Sequence, residues 1–104
     1  MPVTTAKADG EVVVALEGDV TITEAALAQQ ELQHALAAAD AVLVDLQGVT
    51  SVDTAVLQVL IAAHRAARRA GKRLRLSNSG GPVNQAVTEL GLQASEPFAV
   101  RDGG

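Results

Sequence analysis

The central third of the chain constrains the fold most strongly, because three consecutive patterns in it describe a strand, a helix and another strand. Residues 41–46 are apolar on both faces apart from Asp45, which is typical of a central strand covered by helices. Residues 55–70 contain neither Gly nor Pro and predict a helix, which Gly71 ends in the left-handed conformation that glycine tolerates. Residues 73–76 alternate Arg and Leu, as a strand does. A crossover through one helix favours parallel pairing of the two strands.

The N-terminal part predicts a hairpin and a helix ahead of this unit. Residues 11–16 alternate as a strand does, and residues 3–6 are able to pair with them across a short turn. The next segment matches the capping box, in which the Thr21 hydroxyl and the Glu24 carboxylate each accept a hydrogen bond from the first helical turn. The helix is expected to run to about residue 39. Its apolar positions repeat every three or four residues: 25, 28, 32, 35, 36 and 39.

The C-terminal part predicts a third helix and a last strand. A loop at 77–82 leads to apolar residues at helical spacing over 83–90, with Pro82 at the first helical position and Gly91 after the end. Residues 96–100 are expected to form an edge strand. The element order is therefore β-β-α-β-α-β-α-β, which predicts an α/β fold with helices packed on a mixed sheet.

Length and composition bound the function. A chain of 104 residues forms one domain, so residues 1–104 are treated as a single unit. The chain has no Cys, which excludes disulfides and thiolate metal sites. Phe98 is its one aromatic residue, which argues against base stacking on aromatic side chains. The N-terminus has no apolar segment typical of a signal peptide, so a cytoplasmic protein without membrane insertion is expected. No cofactor is expected.

Charge is distributed unevenly along the chain, although the net charge is only -4. Residues 1–64 hold nine acidic side chains against Lys7, whereas six of the eight basic side chains fall within residues 65–75. This basic segment is either a solvated helix end and strand or a small anion-binding or nucleotide-binding face. The absence of accompanying aromatic or Gly-rich sequence favours the solvated surface and argues against nucleic acid.

The pair Asp53-Thr54 interrupts an otherwise apolar sequence between the central strand and the helix that follows. In a parallel sheet this position lies at the carboxyl ends of the strands, where loops at residues 20–24, 48–54 and 77–82 are expected to gather. Asp and Thr are both good N-caps, and a capping role explains one of the two residues. A hydroxyl at the positive end of a helix also suits a phosphate group, so Thr54 is a candidate regulatory site.

The segment VLVDLQGVTSVDTAVLQVL, followed by AGKRLRLSNSGGPVNQAVTELGL, resembles the STAS domain of bacterial anti-sigma factor antagonists. The resemblance covers residues 11–92, and its most specific part is Asp45 with the D-[ST]-x-x-L core that begins at Asp53. It implies that Thr54 is phosphorylated by a partner kinase. Two positions depart from the pattern: Val56 replaces a frequent Gly, and Thr21 stands where members often carry an acidic residue.

The resemblance implies a non-enzymatic regulatory module that binds an anti-sigma factor or related serine/threonine switch kinase, with a phosphatase that reverses the modification. Besides Thr54, eight residues are expected to contact the partner: Asp19, Thr21, Ser51, Asp53, Ala55, Val56, Gln58 and Val59. The alternative is a constitutive STAS subunit of a lipid-transport ATPase or a chemotaxis complex, which is not phosphorylated. The oligomeric state stays open.

No catalytic constellation accompanies these residues in the sequence. His34 and His64 lie on separate predicted helices, away from the Ser, Cys or carboxylate spacing that a triad or a zinc site requires. Both are expected to be helix-surface or edge-packing residues. The sequence therefore predicts a binding protein and no enzyme.

Overall fold

The computed structural model describes residues 3–8, 10–77 and 82–89, and it confirms the predicted order of elements as far as the third helix. Its strands are β1 (Val3–Ala8), β2 (Glu11–Val20), β3 (Ala41–Val52) and β4 (Arg73–Ser77). Its helices are α1 (Ile22–Ala38), α2 (Thr54–Arg69) and α3 (Pro82–Glu89). The last strand predicted at 96–100, and most of the loop predicted at 77–82, lie outside the described residues.

The strands form a mixed sheet in the order β1-β2-β3-β4. β1 is antiparallel to β2, and the turn between them uses Gly10 at φ 80°, which confirms the predicted hairpin. β2 pairs with β3 in parallel. β3 also pairs with β4 in parallel, as the crossover through one helix predicts. The two central strands are thus β2 and β3, and their carboxyl ends lie at the same edge of the sheet.

The prediction of a loop over residues 48–54 is wrong, because β3 continues to Val52. This second half of β3 pairs with the second half of β2, with Asp19 opposite Ser51 and Val20 opposite Val52. Register shifts interrupt the pairing, and Gly18 has a φ of 71° at one of them. The pairing with β2 therefore extends β3 beyond the predicted end of the strand.

One face of the sheet carries the core. Val12, Val42 and Leu74 are neighbours in the register and are all buried, and α1 and α2 pack on the sheet and against each other. Each helix contributes a fully buried leucine, Leu32 from α1 and Leu60 from α2, and burial of such a side chain stabilises the fold by about 1.5–3 kcal/mol. α3 packs against β3.

Local signals set the helix ends where the sequence predicts them. Thr21 is the N-cap of α1 and forms the complete capping box with Glu24. Gly71 follows α2 at φ 71°, as predicted for a residue just beyond a helix end. His34 is exposed on α1, and His64 is half-buried on α2. In the part of the chain that the structure describes, no helix is long and apolar enough to cross a membrane.

Candidate functional site

Helices α1 and α2 begin side by side at the edge where β2 and β3 end. Val20 and Val52 are paired in the parallel ladder, and a single residue separates each strand from its helix. The two connections are joined by a backbone hydrogen bond of 3.1 Å from the Asp53 N–H to the Val20 carbonyl. Two positively polarised helix ends are therefore adjacent.

Asp53 occupies the N-cap position of α2, but its side chain forms a hydrogen bond with the start of α1. The carboxylate Oδ2 accepts a hydrogen bond of 3.0 Å from the backbone N–H of Ile22, the first residue of α1. Among the contacts of the described residues it makes no capping bond to α2, whose first turn is closed by the Asp53 carbonyl with Val56 N–H and Leu57 N–H, at 3.0 and 3.3 Å. The carboxylate bonds to α1 and not to its own helix because the parallel register brings the neighbouring helix end within reach.

Thr54 is the first residue of α2, and its side chain is exposed. The first turn of α2 has no acidic residue that would compensate the positive end of the helix dipole. A hydroxyl oxygen at this position is therefore accessible to a macromolecular partner, and the N-terminus of the helix favours an added negative charge.

A cluster of one carboxylate and two hydroxyls lies beside the helix ends. The Asp19 carboxylate accepts hydrogen bonds from Ser51 Oγ at 2.7 Å and from Thr50 Oγ1 at 3.0 Å, and all three residues are exposed. These bonds, first from Ser51 and then from Thr50, lower the pKa of Asp19. The cluster fixes the direction of polar groups on a surface that a partner can reach.

The start of α1 is held by the Thr21–Glu24 capping box. Glu24 Oε1 accepts from the Thr21 backbone N–H at 2.9 Å and from the Thr21 hydroxyl at 2.8 Å, while Thr21 Oγ1 accepts from the Thr23 N–H at 3.2 Å. The backbone donor of Thr21, with its hydroxyl second, lowers the pKa of Glu24. Since Asp53 holds the Ile22 N–H, the first N–H groups of α1 all have acceptors.

The predicted partner residues differ in how far they are exposed to solvent. Asp19, Ser51, Asp53 and Gln58 are exposed with Thr54, whereas Thr21, Ala55 and Val59 are half-buried. Val56 is 0% exposed and packs in the core, so its side chain cannot contact a partner and its inclusion was wrong. In its first two turns helix α2 is apolar apart from Thr54 and Gln58, and the position of the sheet decides which of the apolar side chains it buries.

Ile22 is a surface residue that the sequence reasoning missed. Its side chain is 70% exposed, and among the described residues it is the one large apolar side chain exposed to solvent. The signal available in the sequence is an isoleucine directly after an N-cap threonine, where an apolar side chain contributes little to the stripe that faces the core. Ile22 and Thr54 occupy the same position, the first residue, on the two adjacent helices.

The basic segment at 65–75 does not form a single face. Arg73 and Arg75 alternate with the buried Leu74 and so lie on the opposite side of the sheet from the core. Arg75 forms a 3.0 Å ion pair with Glu11 on that side. Lys72 Nζ donates a hydrogen bond to the carbonyl of Leu36 near the end of α1. The arginines of α2 are separated from those of β4, which does not favour one anion site.

Comparison with known proteins gives a family match over almost the whole chain. A family model described as "Mlab, STAS domain" matches residues 3–99. No curated protein matches the chain in sequence.

The chain is also similar to solved structures of anti-sigma factor antagonists. One from Mycobacterium paratuberculosis is 18% identical, with a TM-score of 0.73, and the match covers 97% of this chain and 87% of that one. The anti-sigma factor antagonist SpoIIAA in its unphosphorylated form is 15% identical, with a TM-score of 0.75 and coverage of 97% and 90%. The Bacillus cell fate determinant SpoIIAA in the phosphorylated form is 14% identical, with a TM-score of 0.71 and coverage of 97% and 94%. These similarities establish the fold.

Proposed function

This chain belongs to the STAS domain family, and we propose that it is a non-enzymatic regulatory module that binds a protein partner and is switched by phosphorylation of Thr54. The proposed docking surface is the edge where α1 and α2 begin, together with the cluster of Asp19, Thr50 and Ser51. The partner is a serine/threonine kinase-type regulator, such as an anti-sigma factor, and a phosphatase reverses the modification.

The observation that carries the proposal is the position of Thr54. Its side chain is exposed at the first position of α2, and the one carboxylate next to it in the chain, Asp53, is bonded to the other helix. A phosphate on Thr54 would therefore meet a helix N-terminus that carries no acidic residue in its first turn. A similar protein, Bacillus SpoIIAA, has been solved in a phosphorylated form.

The proposed modification is a phosphoryl transfer from ATP that the partner kinase catalyses. A bond forms between Thr54 Oγ1 and the γ-phosphorus of ATP, and the bond from that phosphorus to the bridging oxygen breaks. ADP leaves, and the proton of the hydroxyl passes to a base on the kinase. The STAS module supplies the acceptor hydroxyl and the docking surface, and no catalytic group.

Phosphorylation would release the partner through charge and bulk. A phosphate adds about -1.5 to -2 charge at neutral pH, on a surface that already carries Asp19 and Asp53. In an interface formed around the free hydroxyl, the phosphate would lose its water without a matching cation, and this desolvation cost, together with its bulk and the repulsion from Asp53, is expected to dissociate the complex.

The test combines detection of the phosphate with a measurement of binding. Mass spectrometry of the protein isolated from its host should locate a phosphate on Thr54, and the Thr54→Val variant should lack it. Thr54→Glu should bind the partner at least about tenfold more weakly than its neutral isostere Thr54→Gln. Unmodified Thr54 in the host, together with equal affinities for the Glu and Gln variants, would refute the switch.

A second candidate function is a constitutive STAS subunit of a lipid-transport ATPase, in which the same surface binds without modification. It is favoured by the description of the matching family model, which names the MlaB type of STAS domain. Affinity purification from detergent-solubilised membranes distinguishes the two candidates. A stable complex with a permease and an ATPase, with no phosphate on Thr54, would support the transport subunit.

A further inference from the structure

Asp53 connects the proposed phosphorylation site to the neighbouring helix. It precedes Thr54 directly in the chain, yet its carboxylate is bonded to the Ile22 N–H at 3.0 Å, which is the first N–H of α1. Its own backbone N–H is bonded to the Val20 carbonyl at 3.1 Å. The residue thus bridges the connections that lead into α1 and α2.

A phosphate on Thr54 would act on this bridge in two ways. It would place a group of about -1.5 to -2 charge next to the Asp53 carboxylate, and the repulsion between them favours separation of the two anions. Its oxygens are also strong acceptors that compete for the N–H groups at the same pair of helix ends. Both effects weaken the bond between Asp53 and Ile22.

We propose that Asp53 is the positioning residue of the switch: it holds the start of α1 in the docking surface, and phosphorylation of Thr54 detaches it from the Ile22 N–H. The inference rests on the proposed function, and it extends that function to the second helix. The modification then alters a surface made by two helices, although it is attached to only one of them.

The loss of the hydrogen bond to Asp53 affects only the first residue of α1. The Thr23 N–H is held by Thr21 Oγ1 at 3.2 Å, and the Glu24 N–H by the Thr21 carbonyl at 2.9 Å, and neither bond involves Asp53. Ile22 itself is 70% exposed, so loss of its anchor frees an apolar side chain that lies on the docking surface. A partner that packs against Ile22 loses a fixed contact when Asp53 detaches.

Solvent exchange of individual backbone amides, measured by NMR on the full chain, tests this inference without a partner. The Ile22 amide should exchange roughly three- to tenfold faster in Thr54→Glu than in Thr54→Gln, which corresponds to loss of one hydrogen bond. Asp53→Ala gives the rate expected for complete detachment. Gln58→Glu adds the same charge one turn further along α2, where the side chain is exposed, and should leave the Ile22 amide unchanged.

The outcomes separate this inference from the proposed function. Faster exchange at Ile22 in Thr54→Glu, with unchanged exchange at Thr23 and Glu24, supports the inference. Equal exchange at Ile22 in Thr54→Glu and Thr54→Gln overturns it, even when Thr54→Glu releases the partner. If Thr54→Glu accelerates the Ile22 amide but leaves partner binding intact, the inference stands and the proposed switch fails.

Discussion

Replacing Asp53 with alanine is expected to destabilise the start of α1 and to leave α2 unaffected. The substitution removes the acceptor of the Ile22 N–H, a hydrogen bond of 3.0 Å, and no capping bond of α2. Loss of a capping acceptor costs about 0.5–2 kcal/mol. Because Ile22 is 70% exposed, water can reach the N–H that is freed, and we expect about 1 kcal/mol, or a fall in Tm of about 4 °C.

The assay is a double-mutant cycle with Ile22→Pro, followed by thermal and urea unfolding. Proline has no N–H and is well tolerated at the first position of a helix, so this variant removes the donor and preserves α1. Thr21 is already extended, at φ -110° and ψ -177°, as a residue before proline needs to be. In the Ile22→Pro background, Asp53→Ala should have almost no further effect on the free energy of unfolding.

The cycle also has a clear contrary result. If Asp53→Ala costs the same in the presence and in the absence of the Ile22 N–H, the carboxylate acts elsewhere, and capping of α2 becomes the better explanation. Asp53→Asn provides a further control, since the amide oxygen is still able to accept the bond while the charge is lost. It should retain most of the stability.

Two further predictions concern the helix ends. Gly71→Ala should lower the free energy of unfolding by roughly 1–2 kcal/mol. Because φ is 71° and no atom lies within 4 Å of the added Cβ, the cost comes from the backbone conformation. Gly71→Asn should cost less, and equal unfolding curves for the glycine and alanine proteins would contradict this prediction. In the capping box the pKa of Glu24 is lowered from its ordinary value of 4.5. The charged carboxylate therefore stabilises the fold above about pH 4.5, and this contribution is lost as the pH falls through the pKa of the folded state. Tm measured against pH should therefore fall less steeply in acid for Glu24→Gln than for the wild type, and parallel curves would count against a stabilising charge at Glu24.

The parts of the fold that the sequence predicts are those that neighbouring residues determine. The capping box needs Thr21 and Glu24 three residues apart, and the end of α2 needs a residue at Gly71 that adopts positive φ without strain. Strand alternation and the crossover rule then give the parallel pairing of β3 and β4. Each signal is contained within a few residues or follows from chain topology.

The parts that the sequence does not predict depend on which segments become neighbours in space. Residues 48–52 lie beyond the predicted end of the strand, and they continue β3 because the end of β2 lies beside them. Val56 is buried whereas Ala55 and Val59 are half-buried among the apolar residues that begin α2, and the sheet determines that choice. The bond from Asp53 to Ile22 joins residues that are distant in sequence and requires the register of β2 with β3.

That register gives the candidate site an asymmetry that either proposed function would use. Thr21 and Asp53 are equivalent, since each is the single residue between a paired strand and its helix, but Thr21 caps its own helix and Asp53 caps the neighbouring one. As a result, the first residue of α1 is an exposed isoleucine whose backbone N–H is bonded to Asp53. The first residue of α2 is an exposed threonine, and among the described contacts this helix end has no side-chain cap. A partner docking here meets an apolar and a modifiable side chain at equivalent positions. A negative charge introduced at Thr54 would act directly on one helix end, and through Asp53 it would also act on the other.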